Sequence, residues 1–292
     1  MTTPFASILN FRDVGETINS QMPSRPMLTG RLYRSARPDG ASPDDRRRLL
    51  DEYKIKTIVD LRTKTEHIQE AKKRDVKAKS SEAAPQTNKQ VTEALEIPGI
   101  TYHPINFNGN AYSKMLIKQL SWSNTFKLIG HMAIGQRTQG IKILGDNVMT
   151  ARGLIGLAID STDACGLEVR QFFELLADES SLPLMVHCTQ GKDRTGLTVL
   201  MAVLLCGGSV EAAEYDYMLS QKELLSEREE RLVEIHSIGL PDEFAGCDPD
   251  LVKKVYAHIN EKYGSIEQYL EGVGVTRDMQ QKVKHNLVAH KS

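Results

Sequence analysis

The stretch His187-Cys188-Thr189-Gln190-Gly191-Lys192-Asp193-Arg194-Thr195-Gly196 decides the reading of this chain. Before it lies a short apolar run, Pro183-Leu184-Met185-Val186, with the composition of a buried strand. After it comes a run from Leu197 to Cys206, long and apolar enough for a buried helix. A strand, a tight glycine-containing loop and a helix N-terminus make an anion cradle, in which successive backbone N–H groups point inward and the helix dipole adds partial positive charge. Cysteine stands at the start of the loop and arginine at its end, with five residues between them.

These residue types define a chemistry. The thiolate is the nucleophilic form of cysteine, and a helix N-terminus with nearby cations lowers the thiol pKa from roughly 8.5 to ~3.5–7.5. Cys188 has the amides, Arg194 and Lys192 available for this. Arg194 offers a planar fork of donors matched to two oxygens of a phosphate. Together they describe in-line attack on phosphorus, a phosphocysteine intermediate and its hydrolysis by water. Positioning and electrostatics dominate phosphoryl transfer, so neither a metal nor another cofactor is required.

The loop resembles the signature of the protein tyrosine phosphatase superfamily, His-Cys-x5-Arg-Ser/Thr, at His187, Cys188, Gly191, Arg194, Thr195 and Gly196. That resemblance implies an α/β cysteine-phosphatase fold, with a central, mostly parallel sheet flanked by helices. It makes Cys188 the nucleophile and Arg194 the phosphate and transition-state clamp. Thr195 would donate to the Cys188 sulfur and help expel it. His187 would orient the loop and help depress the Cys188 pKa. Thr189, Gln190, Gly191, Lys192 and Gly196 complete the phosphate cradle.

A narrower likeness rests on Gly191-Lys192-Asp193-Arg194-Thr195. It is similar to the tyrosine/serine phosphatase family that includes the mycobacterial secreted tyrosine phosphatase B. Three other segments fit: Asn10-Phe11-Arg12-Asp13-Val14-Gly15, Leu32-Tyr33-Arg34-Ser35-Ala36, and Asp60-Leu61-Arg62-Thr63 followed by Glu66. The tail Tyr263 to Leu270 extends the likeness, with weak coverage between about 78 and 165. Many superfamily members carry a general-acid aspartate on a Trp-Pro-Asp loop. The single tryptophan here, Trp122, is followed by Ser123 and Asn124, so the resemblance places the acid at Asp193. Asp60 and Asp163 are weaker candidates for that role. Lys192 beside the arginine adds charge beyond the need of one phosphomonoester, and lipid phosphatases acting on inositol phosphates often show a similar loop. The family is associated with both phosphotyrosine and phosphoinositides. The expected substrates are therefore a phosphotyrosyl protein, with phosphoserine or phosphothreonine in range, or a phosphoinositide or inositol phosphate.

Composition sets the bounds. With 292 residues and 40% hydrophobic content, the chain suffices for one large domain, expected over 1–292. Lys+Arg number 37 against Asp+Glu 38, a net charge of -1, which argues against a general nucleic-acid binder. Cys165, Cys188, Cys206 and Cys247 show neither metal-ligand spacing nor a disulfide framework, and a thiol enzyme fits a reducing compartment. No signal peptide is evident over Met1 to Asn10, and no apolar run approaches a membrane span. The expected location is cytoplasmic, with transient membrane contact open.

Along the chain, residues 1–30 read as loop-rich, with Arg12 and Asp13 as an ion pair near the cradle. Strands are expected over Arg31 to Ser35, Thr57 to Leu61 and Ile100 to Ile105, and a helix starts at Ser42-Pro43-Asp44-Asp45. Asp60 either sits at the mouth of the site or braces local backbone with Arg62. A charged helix is expected over 66–77 and a polar loop over Ala78 to Asn88. Helical apolar spacing over Tyr112 to Gly135 and Val148 to Ile159 marks an insertion at about 107–165. Its readings are plain core packing or a lid that shields the cradle or meets lipid. From Ser209 onward a helical layer is expected, with Ser209, Ser265 and Thr276 as N-caps and Gly207 and Gly264 as stops. Two other functions compete with the phosphatase: a rhodanese-type sulfurtransferase, disfavoured by the loop length, and a non-catalytic phospholigand-binding module, disfavoured by retention of cysteine, arginine and a candidate acid.

Overall fold

The apolar run before the loop is the central strand of the molecule. The computed structural model describes residues 5–64, 66, 67, 70 and 96–289. One sheet holds β1 (Arg12–Asp13), β2 (Leu32–Ser35), β3 (Thr57–Asp60), β4 (Thr101–Pro104) and β5 (Leu184–His187). Their spatial order is β1-β2-β5-β3-β4. β1 pairs antiparallel with β2, while the other pairings are parallel. The expected mostly parallel sheet is therefore present.

The period of two along each strand divides the core. Tyr33, Met185 and Ile58 share one register row and pack with Phe5, Phe11, Leu49, Ile55, Ile97 and Ile100 on one face. Leu32, Leu184, Val186 and Val59 point the other way, into a larger core shared with most of the helices. Both faces of the central strand are covered, and this is why its sequence is uniformly apolar rather than alternating.

Along the chain, α1 (Val14–Gln21) precedes β2, and α2 (Pro43–Asp51) precedes β3. Between β4 and β5 run α3 (Asn110–Lys118), α4 (Trp122–Ala133), α5 (Arg137–Leu144), α6 (Thr150–Ala164) and α7 (Gly166–Ala177). After β5 come α8 (Asp193–Leu205), α9 (Val210–Glu223), α10 (Arg228–Ser237), α11 (Leu251–Tyr263), α12 (Ile266–Gly272) and α13 (Arg277–Leu287). Among the described residues, no helix is long and apolar enough to cross a membrane.

Several helix starts follow local chemistry. Ser42 caps α2 in a capping box with Asp45, and Pro43 fills the first turn. Ser209, Ser265 and Thr276 each accept a backbone N–H at the start of α9, α12 and α13. Gly264, with φ +89, ends α11.

Several expectations need correction. Residues 14–21 are helical rather than loop, because Asp13 caps the Glu16 N–H and Val14 and Ile18 are buried. The helix after the loop begins at Asp193, not Leu197, so the last residues of the signature form its first turn. The apolar pattern over Tyr112 to Gly135 is two helices, divided where Ser121 caps α4. The next pattern extends beyond Ile159 to Ala164 and joins α5 through a wide turn at Gly145–Met149, with a break at Gly153. Apart from Glu66, His67 and Glu70, the helix expected over 66–77 and the loop expected over Ala78 to Asn88 lie outside the described residues.

Candidate active site

Parallel register brings three strand ends together. Ser35 of β2, His187 of β5 and Asp60 of β3 lie in one row, and Cys188 is the next residue on the central strand. The loop thus leaves the carboxyl edge of a parallel sheet and enters the N-terminus of α8, where open α/β sheets hold their ligands.

The conformation of the loop is set from behind. Five consecutive carbonyls, from Cys188 to Lys192, accept hydrogen bonds from groups outside the cradle. Cys188 O faces His187 Nδ1 at 3.0 Å, and Thr189 O accepts from Arg37 N at 3.1 Å. Asn10 Nδ2 donates to Gln190 O at 2.9 Å and to Gly191 O at 3.1 Å. Arg34 Nη2 donates to Gly191 O at 2.6 Å and to Lys192 O at 3.3 Å, and Lys192 O also receives Gly196 N at 2.7 Å. Among the described residues, no hydrogen bond takes up the N–H of Thr189, Gln190, Gly191 or Lys192. With carbonyls anchored outward, the amides are left for an anion.

Gly191 makes this turn possible. Its φ is +64, and a Cβ there would lie 1.9 Å from the Ser35 carbonyl oxygen. The loop therefore presses on the end of β2 in a conformation that side-chain-bearing residues rarely adopt.

Arg34 and Asn10 are themselves held. Arg12 donates through Nε to Asp216 Oδ1 at 2.7 Å, through Nη2 to Asp216 O at 2.6 Å and through Nη1 to Asn10 Oδ1 at 2.5 Å. Arg34 Nη1 bonds the second Asp216 oxygen. All three charged side chains are buried. Burial pulls the Arg12 guanidinium down to about 10, against the charge of Asp216. Burial opposes ionisation of Asp216 as well, but the two guanidiniums outweigh it and hold the carboxyl below its ordinary range.

Arg194 is oriented by Glu66. Arg194 Nη1 and Nη2 each donate to a separate Glu66 oxygen at 2.6 Å, and Nη1 also reaches Leu61 O at 3.2 Å. Thr189 Oγ1 donates to Glu66 Oε1 at 2.6 Å, and Glu66 Oε2 caps the Thr63 N–H at 2.8 Å. Burial works against both charges of the pair. The Arg194 cation nevertheless prevails over it and holds Glu66 well below the carboxylate range, and Glu66 raises Arg194 in return.

The remaining expected residues divide by position. His187 Nδ1 faces a carbonyl, so that nitrogen carries the proton, and burial lowers the pKa of the ring despite Asp60 at 3.7 Å. Asp60 braces its surroundings: it accepts from the Arg62 backbone N at 2.9 Å and from the Arg62 fork at 2.7 Å. Burial would raise its pKa, yet His187 and Arg62 hold it well below the usual range, so it is a poor proton donor. Asp163 lies on α6 with His258, Tyr263 and Lys262 around it, all within 2.8 Å, and is spent on that cluster. Thr195 Oγ1 is buried with no partner among the described residues, an acceptor-seeking hydroxyl in the first turn of α8. Asp193 remains 42% exposed, with Tyr217 Oη at 3.5 Å.

Lys192 departs from expectation. Its ammonium is 1% exposed and donates to Phe244 O at 3.2 Å and to Gly246 O. The lysine ties the loop to the segment before α11, and its ammonium also lies 3.8 Å from Asp193 Oδ1. A lysine in the motif advertises a cation but not its acceptor.

Sequence reasoning left four functional residues without a role. Asn10, Arg34 and Glu66 stood inside quoted motifs, which was a usable signal. Asp216 had none, because its partners lie 182 and 204 positions away.

The model of the tyrosine phosphatase family matches residues 3–289, nearly the whole chain. No curated protein matches it.

Two outcomes follow for stability. Replacing Asp216 with Ala strands two buried guanidiniums, and urea unfolding should show a loss of about 3–5 kcal/mol; a loss below about 1 kcal/mol would mean that Arg12 and Arg34 reach water. The second concerns pH. His187 holds its proton more weakly folded than unfolded, so stability is full above about pH 6.5 and declines as pH falls through that unfolded value. Asp60, Glu66 and Asp216 bind protons more weakly when folded, so their contribution is present above about pH 4 and is lost below it. Denaturant titrations from pH 8 to 3 should therefore show a shallow first decline, absent in His187→Gln, and then a steeper one. A flat profile to pH 4 in the wild type would contradict the His187 assignment.

Proposed function

The chain belongs to the tyrosine phosphatase family, and from that premise we propose that it hydrolyses phosphomonoesters through a phosphocysteine intermediate on Cys188. The observation that carries the reading is the row of outward-anchored carbonyls from Cys188 to Lys192, which leaves the intervening amides for a phosphoryl group.

In this reading the Cys188 sulfur attacks phosphorus while the bond from phosphorus to the ester oxygen breaks. The loop amides and the free donors of Arg194 hold the equatorial oxygens. Asp193 gives its proton to the leaving oxygen. It then takes a proton from the water that attacks the phosphocysteine, and the sulfur leaves as thiolate. The Thr195 hydroxyl, unpaired and buried, is the donor for that departing thiolate. Glu66 is a positioning residue that fixes the plane of the Arg194 fork. Asp39 and Asp60 grip Arg62, which steadies the strand end beside His187.

Phosphotyrosine is the substrate we favour, with phosphoserine and phosphothreonine in range. The motifs at Asn10 to Gly15, Leu32 to Ala36 and Asp60 to Glu66, which resemble those of the tyrosine/serine phosphatases, support this reading. A phosphoinositide or inositol phosphate is the alternative. The engagement of the Lys192 ammonium by two carbonyls weighs against it, since a multiply phosphorylated head group calls for extra exposed cation.

The test is a panel of phosphotyrosyl peptides, phosphoseryl peptides and phosphoinositides, run on wild type and Cys188→Ser. Cys188→Ser should lose at least about 10³-fold in kcat and retain substrate binding; residual activity near wild type would end the proposal. Asp193→Asn should slow alkyl phosphates more than aryl phosphates bearing good leaving groups, and equal effects on both would remove it as the acid. Glu66→Ala should cost about 10–100-fold in kcat/KM, the worth of one charge-assisted bidentate contact, with Glu66→Gln recovering part of it.

A further inference from the structure

The insertion between β4 and β5 carries a surface that the proposed phosphatase chemistry does not use. α4 presents Trp122 at 82% exposure, Phe126 at 68% and Ile129 at 57%, with Met132 and, just past the helix, Ile134 also exposed. Spacings of four and three residues put Trp122, Phe126 and Ile129 on one side of the helix. The opposite side buries Leu128 and packs on α5. A monomer rarely leaves a row of large apolar side chains in water, whereas single exposed ones are ordinary.

Charge distinguishes this surface from a generic sticky patch. Between Glu96 and Asp146 the sequence contains no Asp or Glu, yet it contains Lys114, Lys118, Lys127, Arg137 and Lys142. The whole chain has a net charge of -1, so the cations of this segment are offset elsewhere. Lys114, Lys118 and Lys127 are exposed. Lys127 also lies on α4, about 130° round the helix from the centre of the apolar row, on its polar side. Lys142 is paired with Asp146 at 3.4 Å, and the other cations have no acid within the segment. An exposed apolar helix face with tryptophan among its residues, in a segment whose charges are cations, matches the interface of an anionic bilayer: acyl chains take the rings and aliphatics, and acidic head groups meet the lysines. A second copy of this segment would bring like charges together.

We propose that α4 docks on the surface of an anionic membrane, inserting Trp122, Phe126 and Ile129 to head-group depth while Lys114, Lys118 and Lys127 contact acidic lipids. The insertion begins beside the catalytic loop, since the charge of Arg194 reaches Tyr112 on α3. The inference rests on the exposed face and its charge, not on which phosphomonoester is cleaved.

Trp122 is the single tryptophan and so reports directly. The full chain is titrated with vesicles of phosphatidylcholine, with and without phosphatidylserine. The expected result is a blue shift and brightening of Trp122 on phosphatidylserine vesicles, weakened by salt, with little change on phosphatidylcholine alone. Phe126→Asp with Ile129→Asp should lower vesicle affinity by about tenfold or more. Helical content and turnover of a soluble aryl phosphate should stay unchanged. No shift with either vesicle overturns the proposal, as does equal binding to both. A blue shift that grows with protein concentration in the absence of lipid also overturns it and assigns the face to a second copy.

Discussion

The geometry of the Cys188 loop depends on a buried carboxylate shared by two guanidiniums. Asp216 meets Arg12 with one oxygen and Arg34 with the other. One anion cannot satisfy all the donors of two forks. Most of their remaining N–H groups turn to neutral acceptors, among them the Asp216 carbonyl, Ser220 Oγ, Asn10 Oδ1 and the carbonyls of Gly191 and Lys192, while Arg34 Nε has no partner among the described residues. The pull on those carbonyls fixes the peptide planes, and a peptide whose oxygen faces outward directs its N–H inward. The arrangement is expensive, since removing three charges from water costs several kcal/mol per ion before any pairing. What it provides is orientation: in the proposed chemistry the amides would be set before a phosphate arrives and need not reorganise when charge develops.

A different logic governs Arg194. A negative residue beside an anion site appears self-defeating, because the Glu66 carboxylate cancels the formal charge of the arginine. Two 2.6 Å contacts, however, hold a side chain that would otherwise lose substantial rotamer freedom on binding. Thr189 and the Thr63 N–H hold Glu66 in turn. With Arg194 neutralised in net terms, attraction for a phosphate dianion falls more heavily on the loop amides and the α8 dipole. Directional donors then matter more than bulk charge. The withdrawn Lys192 ammonium fits the same division, since it braces the loop from the far side.

Legibility in the sequence followed the range of the interaction. The Cys188 loop, its strand and the caps at Ser42, Ser209, Ser265 and Thr276 are local, and residue types at fixed offsets announce them. α1 was equally local, with Asp13 and Glu16 at cap spacing, and its signal was outweighed by the surrounding polar residues. The layer behind the loop could not be read. Nothing near Asp216 marks it as the partner of Arg12 and Arg34, because only the fold brings β1, β2 and α9 together at these ion pairs. Asp60 offered two readings, and its Arg62 contacts favour the brace. Lys192 misled for a physical reason: a cation in a phosphate loop satisfies the motif whether its ammonium faces the ligand or the scaffold.

Periodicity in the insertion shows a related limit. Helical spacing at Met115, Leu116, Leu120, Phe126, Leu128, Ile129 and Met132 reads as one continuous apolar pattern, and core packing was its simplest interpretation. In the fold that pattern separates: Leu116 and Leu128 are buried, whereas Phe126, Ile129 and Met132 are exposed. A repeat near 3.6 identifies faces, but whether a face is covered depends on what the rest of the chain can place against it. Here the sheet and α6 accept the root of the insertion, and Tyr112 is buried within the reach of the Arg194 charge. α4 lies farther out, with α5 as its main neighbour. Two short helices packed on each other cannot bury an apolar side each and a further apolar side besides. The excess faces water, in a segment that carries no acidic residue between Glu96 and Asp146.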